Sequence, residues 1–111
     1  MNGVKKDLVA ASAEPLILSL LSKGESYGYA IIQDIKTKSG EQIQWTDGML
    51  YPVLHRMESN GWIKSRWVGT ENGRKRKYYS IKKDGKKALE AQFAEWMTVH
   101  RVLISFGKGT P

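Results

Sequence analysis

Gly48-Met49-Leu50-Tyr51-Pro52-Val53-Leu54-His55-Arg56-Met57-Glu58-Ser59, the turn Asn60-Gly61, and then Trp62-Ile63-Lys64-Ser65-Arg66-Trp67-Val68 form the stretch on which the fold depends. Leu50, Val53, Leu54 and Met57 recur at helical spacing, so the first part reads as a helix from about Met49 to Ser59. Thr46, Asp47 and Gly48 offer cap residues at its start, and Pro52 is tolerable only near the first turn, where a missing amide costs nothing. Past Asn60-Gly61 the period changes to two. Ile63, Ser65 and Trp67 share one face of a strand over 62–68, and Tyr79 and Ile81 share one face of a second over 77–81. Between them lies Gly69-Thr70-Glu71-Asn72-Gly73-Arg74, whose Asn-Gly pair favours a hairpin turn. Arg74, Lys75, Arg76 and Lys77 crowd that turn with charge.

Upstream, two more helices are expected. The first runs from about Lys5 to Ser22, with Leu8, Val9, Leu16, Leu20 and Leu21 apolar. Pro15 predicts a kink near Ala13–Glu14, or a short lead-in helix and a restart capped by Ser12. The second starts at Ser26 as N-cap, buries Ala30, Ile31, Ile32 and Ile35, and ends by Lys38. Downstream, a long helix spans about Lys83 to Ser105, and the tail 107–111 should fray. Three helices followed by a basic hairpin make a winged helix-turn-helix. The fold class is mainly α with a small β-hairpin wing, divided as 1–82 for that unit and 83–106 for the C-terminal helix.

The 111 residues suit one modest core, and the chain carries a net charge of +7. Residues 54–87 hold eleven lysines and arginines against three acids (Glu58, Glu71, Asp84), so the whole excess lies in one contiguous third. That block reads as a footprint for a polyanion or as a solvated basic surface. The absence of cysteine rules out a disulfide framework and a thiolate metal site. The longest apolar run, within Leu16–Leu21, is interrupted by Ser19 and far too short for a membrane span. No secretory signal is read at the N-terminus, and a cytoplasmic location with no membrane partner is expected.

Three motifs in order resemble the PadR family of regulators. Gly28-Tyr29-Ala30-Ile31 is similar to its Gly-Tyr-x-Ile signature, and residues 48–58 to its recognition-helix motif, followed by Gly61-Trp62-Ile63. Gly73-Arg74-Lys75-Arg76-Lys77-Tyr78-Tyr79 is similar to its wing signature. The resemblance covers about residues 8–106. It implies a dimeric transcriptional regulator, usually a repressor, of the compact subfamily with a single C-terminal dimerisation helix. One departure is Lys82, where the family often has Thr, so an expected N-cap is missing and Asp84 is the substitute.

The expected double-stranded DNA surface comprises Tyr29, Thr46, Gly48, Tyr51, Pro52, His55 and Arg56 with the wing residues Arg74, Lys75 and Arg76. Tyr51 stands where helix amides and side chains meet phosphate, or packs on the second helix. His55, four residues on, shares its face. Arg56 reads guanine, clamps phosphate, or makes an internal salt bridge near Glu58 or helix two. Asp47 caps rather than touching an anion. Tyr29 offers its phenol to the backbone or packs in the core.

Leu89, Phe93, Trp96, His100 and Leu103 recur at spacings of 4, 3, 4 and 3, a heptad seam. With Leu8, Val9 and Leu16 of the first helix they form the expected homodimer interface. In some compact members a Trp on this helix lines a cavity between subunits, so Phe93, Trp96, Met97 and Val99 are candidates for holding a small aromatic effector.

No catalytic residue, metal ligand or cofactor is expected. His55 and His100 lie on different elements, and residues 69–75 do not fit the phosphate-loop pattern. Two non-enzymatic alternatives stay open: an RNA-binding winged helix, and a drug-sensing module with an inter-subunit aromatic pocket.

Overall fold

In the computed structural model, which describes residues 3–107, Pro15 does not break the first helix: α1 is continuous from Lys6 to Leu21. The expected lead-in helix and restart are therefore corrected. Proline removes one backbone donor, while Val9, Ala13, Ile17, Leu18 and Leu21, on both sides of it, are buried in one core that holds both halves of the helix. Ser12 caps nothing; its hydroxyl donates to the Val9 carbonyl at 3.0 Å.

Ser26 is also not an N-cap. Ser26 and Tyr27 form a short strand, β1, paired with Tyr79 and Tyr78, and helix α2 (Gly28–Lys38) begins only afterwards. Long-range strand pairing has overridden a local capping preference. α3 (Asp47–Ser59) starts two residues earlier than expected. Thr46 is its N-cap, with the Met49 amide donating to Thr46 Oγ1 at 3.3 Å. Pro52 therefore falls in the second turn, at the cost of one backbone bond.

The wing is longer than the sequence pattern suggested. β2 (Ile63–Gly69) pairs antiparallel with β3 (Lys75–Ile81) from Ile63↔Ile81 to Gly69↔Lys75. Strand order is β1-β3-β2, so the expected hairpin is part of a three-stranded sheet. Thr70 closes the turn by donating both its amide and its hydroxyl to the Arg74 carbonyl, each at 2.8 Å.

α4 (Lys83–Ser105) starts without a side-chain cap; Lys82 is the N-cap residue and Asp84 lies in the first turn. Backbone contact fixes the start instead. The Lys82 amide donates to the Trp62 carbonyl at 2.8 Å, and Gly85 packs so tightly on that carbonyl that a Cβ would collide with it. The core joins α1 to Ile31 and Ile35 of α2, to Leu50, Leu54 and Met57 of α3, and to Ile63 and Tyr79 of the sheet. Trp45, just before α3, is buried there too. Ala88 and Leu89 of α4 pack against this core, while Phe93 and the residues beyond it run mainly into solvent. Of the tail expected to fray, residues 108–111 lie outside the described residues.

Candidate nucleic-acid interface

Burying Leu50, Leu54 and Met57 leaves the other side of α3 facing outward. Gly48, Pro52, His55 and Arg56 are all exposed, as are Thr46 and Asp47 at the helix start. Asp47 sits in the first turn, where the positive end of the helix dipole favours a carboxylate.

Beside this surface a groove of about 720 Å³ opens between the wing and the start of α2. Tyr29 and Tyr51 stand on one side of it, and Trp67 with Arg74, Lys75, Arg76 and Lys77 on the other. Five of the expected DNA-facing residues, scattered over 48 positions of sequence, thus share one hollow. Tyr29 is 68% exposed, which resolves its two readings in favour of the surface. Tyr51 is half-buried, with its phenol lying over Gly28, so it packs on helix two and lines the groove at once.

Among the other groove residues, Trp67, Lys77 and Tyr27 were missed in the sequence. Trp67 shares a strand face with Ile63, which marks it as a core residue; yet the core ends before it, and it is 63% exposed. Its cross-strand partner Lys77 places Nζ 5.8 Å from the Trp67 ring centre and 5.6 Å from that of Tyr79. On the opposite sheet face the Arg76 guanidinium lies 4.0 Å over Tyr27, the third residue missed. Farther from the tip, Arg66 bonds Glu25 at 2.6 Å, and this hydrogen bond holds the Glu25 carboxyl below its ordinary range.

Beneath the groove Tyr79 is 1% exposed and its hydroxyl has no partner among the described residues. Burial, with smaller effects from Tyr51 and Glu58, pushes its pKa up to about 12, so it remains a neutral packing residue. Ser65 donates to Glu58 at 2.6 Å, tying the end of α3 to the wing. Arg56 does make an internal salt bridge, but with neither of the expected partners. Its Nε meets Glu14 Oε2 of α1 at 3.0 Å.

The family model of the transcriptional regulator PadR-like family matches residues 17–91. A protein of Lysinibacillus sphaericus is 31% identical over 106 residues, covering 96% of this chain and 97% of its own length. The chain belongs to the PadR-like family. Among solved structures it is similar to a transcriptional regulator from Clostridium thermocellum, at 35% identity and a TM-score of 0.85, covering 95% of this chain and 99% of that one. It is also similar to a PadR family transcription regulator from Clostridium difficile R20291, at 34% identity and a TM-score of 0.75, covering 86% and 97%. PadR-like proteins are DNA-binding transcriptional regulators rather than enzymes, and they generally work as dimers.

On this PadR-like chain the expected dimer residues divide into two groups. Phe93 and Leu103 are 59% and 53% exposed, His100 is exposed, and Leu8 is 47% exposed. Val9, at 6%, already lies in the protomer's own core, and Leu89 packs half-buried against it, because the turns of α1 and α4 that carry them face inward. Leu16 is half-buried and lines a second hollow of about 520 Å³, between α1 and α2, with Leu20, Ile35 and Ile43. Of the four candidate effector residues, Phe93, Met97 and Val99 are exposed and Trp96 is half-buried. Among the described residues no helix is long and apolar enough to cross a membrane, and no group of three His, Cys, Asp or Glu is placed to hold a metal.

Proposed function

We propose that this PadR-like regulator is a repressor that grips a pseudo-palindromic operator as a homodimer. The observation that carries the reading is the groove in which Tyr29, Tyr51 and four consecutive cations of the wing converge. α3 enters the major groove with Gly48, Pro52, His55 and Arg56 toward the bases and Thr46 toward a phosphate. Arg74, Lys75 and Arg76 hold phosphates or the minor groove, and Tyr51 approaches the backbone from the first turns of α3. Trp67 joins them, since an exposed indole beside a cation suits the sugar edge of a strand.

Dimerisation uses the bared face of α4. Phe93, Val99, Val102 and Leu103 are each more than half exposed, and no second layer among the described residues covers them. A small planar aromatic effector lodged between the two α4 helices, against Phe93, Trp96, Met97 and Val99, releases the operator by altering the spacing of the α3 pair.

The test is duplex binding across a range of salt, with structured RNA as competitor. The logarithm of affinity should fall linearly with the logarithm of salt. Replacing Arg74, Lys75 and Arg76 together by Gln should lower that slope by about one for each phosphate they had neutralised. A slope unchanged in the triple variant, or RNA displacing DNA, would refute the assignment.

A further inference from the structure

We infer that Glu14 is a positioning residue for DNA binding: one carboxylate clasps the recognition helix to α4. The inference rests on the DNA-binding reading above. Glu14 Oε2 accepts from Arg56 Nε at 3.0 Å, and Oε1 accepts from Gln92 Nε2 at 3.2 Å. Three helices, α1, α3 and α4, therefore meet at a single side chain.

The Arg56 end of the clasp aims a charge without using it up. The bond takes Nε alone and leaves both terminal nitrogens without a partner among the described residues, on a side chain 54% exposed. Those two nitrogens are the ones an arginine turns toward a guanine edge or a phosphate. Glu14 itself is only 23% exposed, so it is a fixed anchor rather than a loose surface acid.

The Gln92 end carries a cost. A carboxylate accepts but does not donate, so the amide must turn its nitrogen toward Glu14. Gln92 Oε1 is thereby left buried with no donor among the described residues. An unsatisfied buried oxygen lowers stability, and a partly exposed ion pair adds little to it. Stability does not account for the arrangement; connection does. Gln92 precedes Phe93 and lies one turn before Trp96, while Arg56 follows His55 on the outward face of α3. A turn or slide of α4 carries Gln92 with it, and through Glu14 it moves Arg56.

The experiment uses the full chain and a duplex that the protein has itself selected from a randomised pool. Affinity is measured by fluorescence anisotropy, with thermal melting alongside. Glu14→Ala and Gln92→Ala should each weaken binding by about threefold to thirtyfold, the range in which coupled residues act. The double variant should bind no more weakly than the worse single one, and all three should melt close to the parent. Gln92→Glu approaches the clasp from α4 and keeps the helix intact. It should weaken binding by repulsion in the parent and have no effect in Glu14→Gln.

Affinities that stay unchanged, or losses that simply add in the double variant, overturn the clasp while leaving the DNA-binding reading in place. Failure of the parent protein to select any duplex overturns both.

Discussion

The Tyr51 phenol occupies the space in which a side chain at residue 28 would begin: a Cβ built on Gly28 collides with its hydroxyl and crowds its ring. The contact joins the first residue of α2 to α3 and forms part of the groove floor. Gly28 is thus required for close approach, not for an unusual backbone angle. Gly28→Ala should push Tyr51 out of place and destabilise the protein by about 1–3 kcal/mol, as overpacking does. Adding Tyr51→Phe, which removes the first atom to clash, should recover part of that loss. Denaturant melts of the two variants check the pair.

Trp67 gives a prediction about affinity without charge. Trp67→Ala should weaken duplex binding by about tenfold, the scale of losing one partly buried aromatic ring, and leave the salt slope unchanged. The protein has four tryptophans, and Trp67 is the exposed one beside the wing cations, so duplex DNA should also shield it from acrylamide. That shielding should be absent in Trp67→Phe.

Most of the architecture was readable from local signals. The periodicity of Leu50, Leu54 and Met57 and the Asn72-Gly73 turn located α3 and the wing to within about two residues. Features that depend on distant partners were not readable. Ser26 looks like a cap until β3 arrives to pair with it, and Pro15 looks like a break until the core is seen to hold both halves of α1. The same limit applied to the site. Trp67 alternates in phase with Ile63 and reads as buried, because a strand pattern does not reveal where the core beneath it stops. Glu14 carries no motif at all; its partners are 42 and 78 residues away.

Tyr79 predicts an alkaline limit to stability. Its folded pKa is raised from 10.0 to about 12, so folding favours the neutral phenol. That contribution is complete below pH 10 and fades as pH rises toward 12. Tyr79→Phe should flatten the loss in this window. It should also match or exceed the parent in stability near neutral pH, since it deletes a buried hydroxyl that has no partner among the described residues. Melting temperature against pH for both proteins is the check.

The exposed face of α4 predicts oligomeric state. Leu103→Asp places a charge at the C-terminal end of the proposed seam, at a side chain 53% exposed in the protomer. The fold should survive, because the core is untouched, while sedimentation velocity should shift from dimer toward monomer. Operator affinity should then fall steeply as protein is diluted.

Hydroxyl-radical footprinting on a selected duplex tests the central claim most directly. A homodimer presenting two α3 helices and two wings on one side should protect two symmetric patches, centred about one helical turn apart or a multiple of it. A single patch, or protection spread evenly along the duplex, would contradict the account.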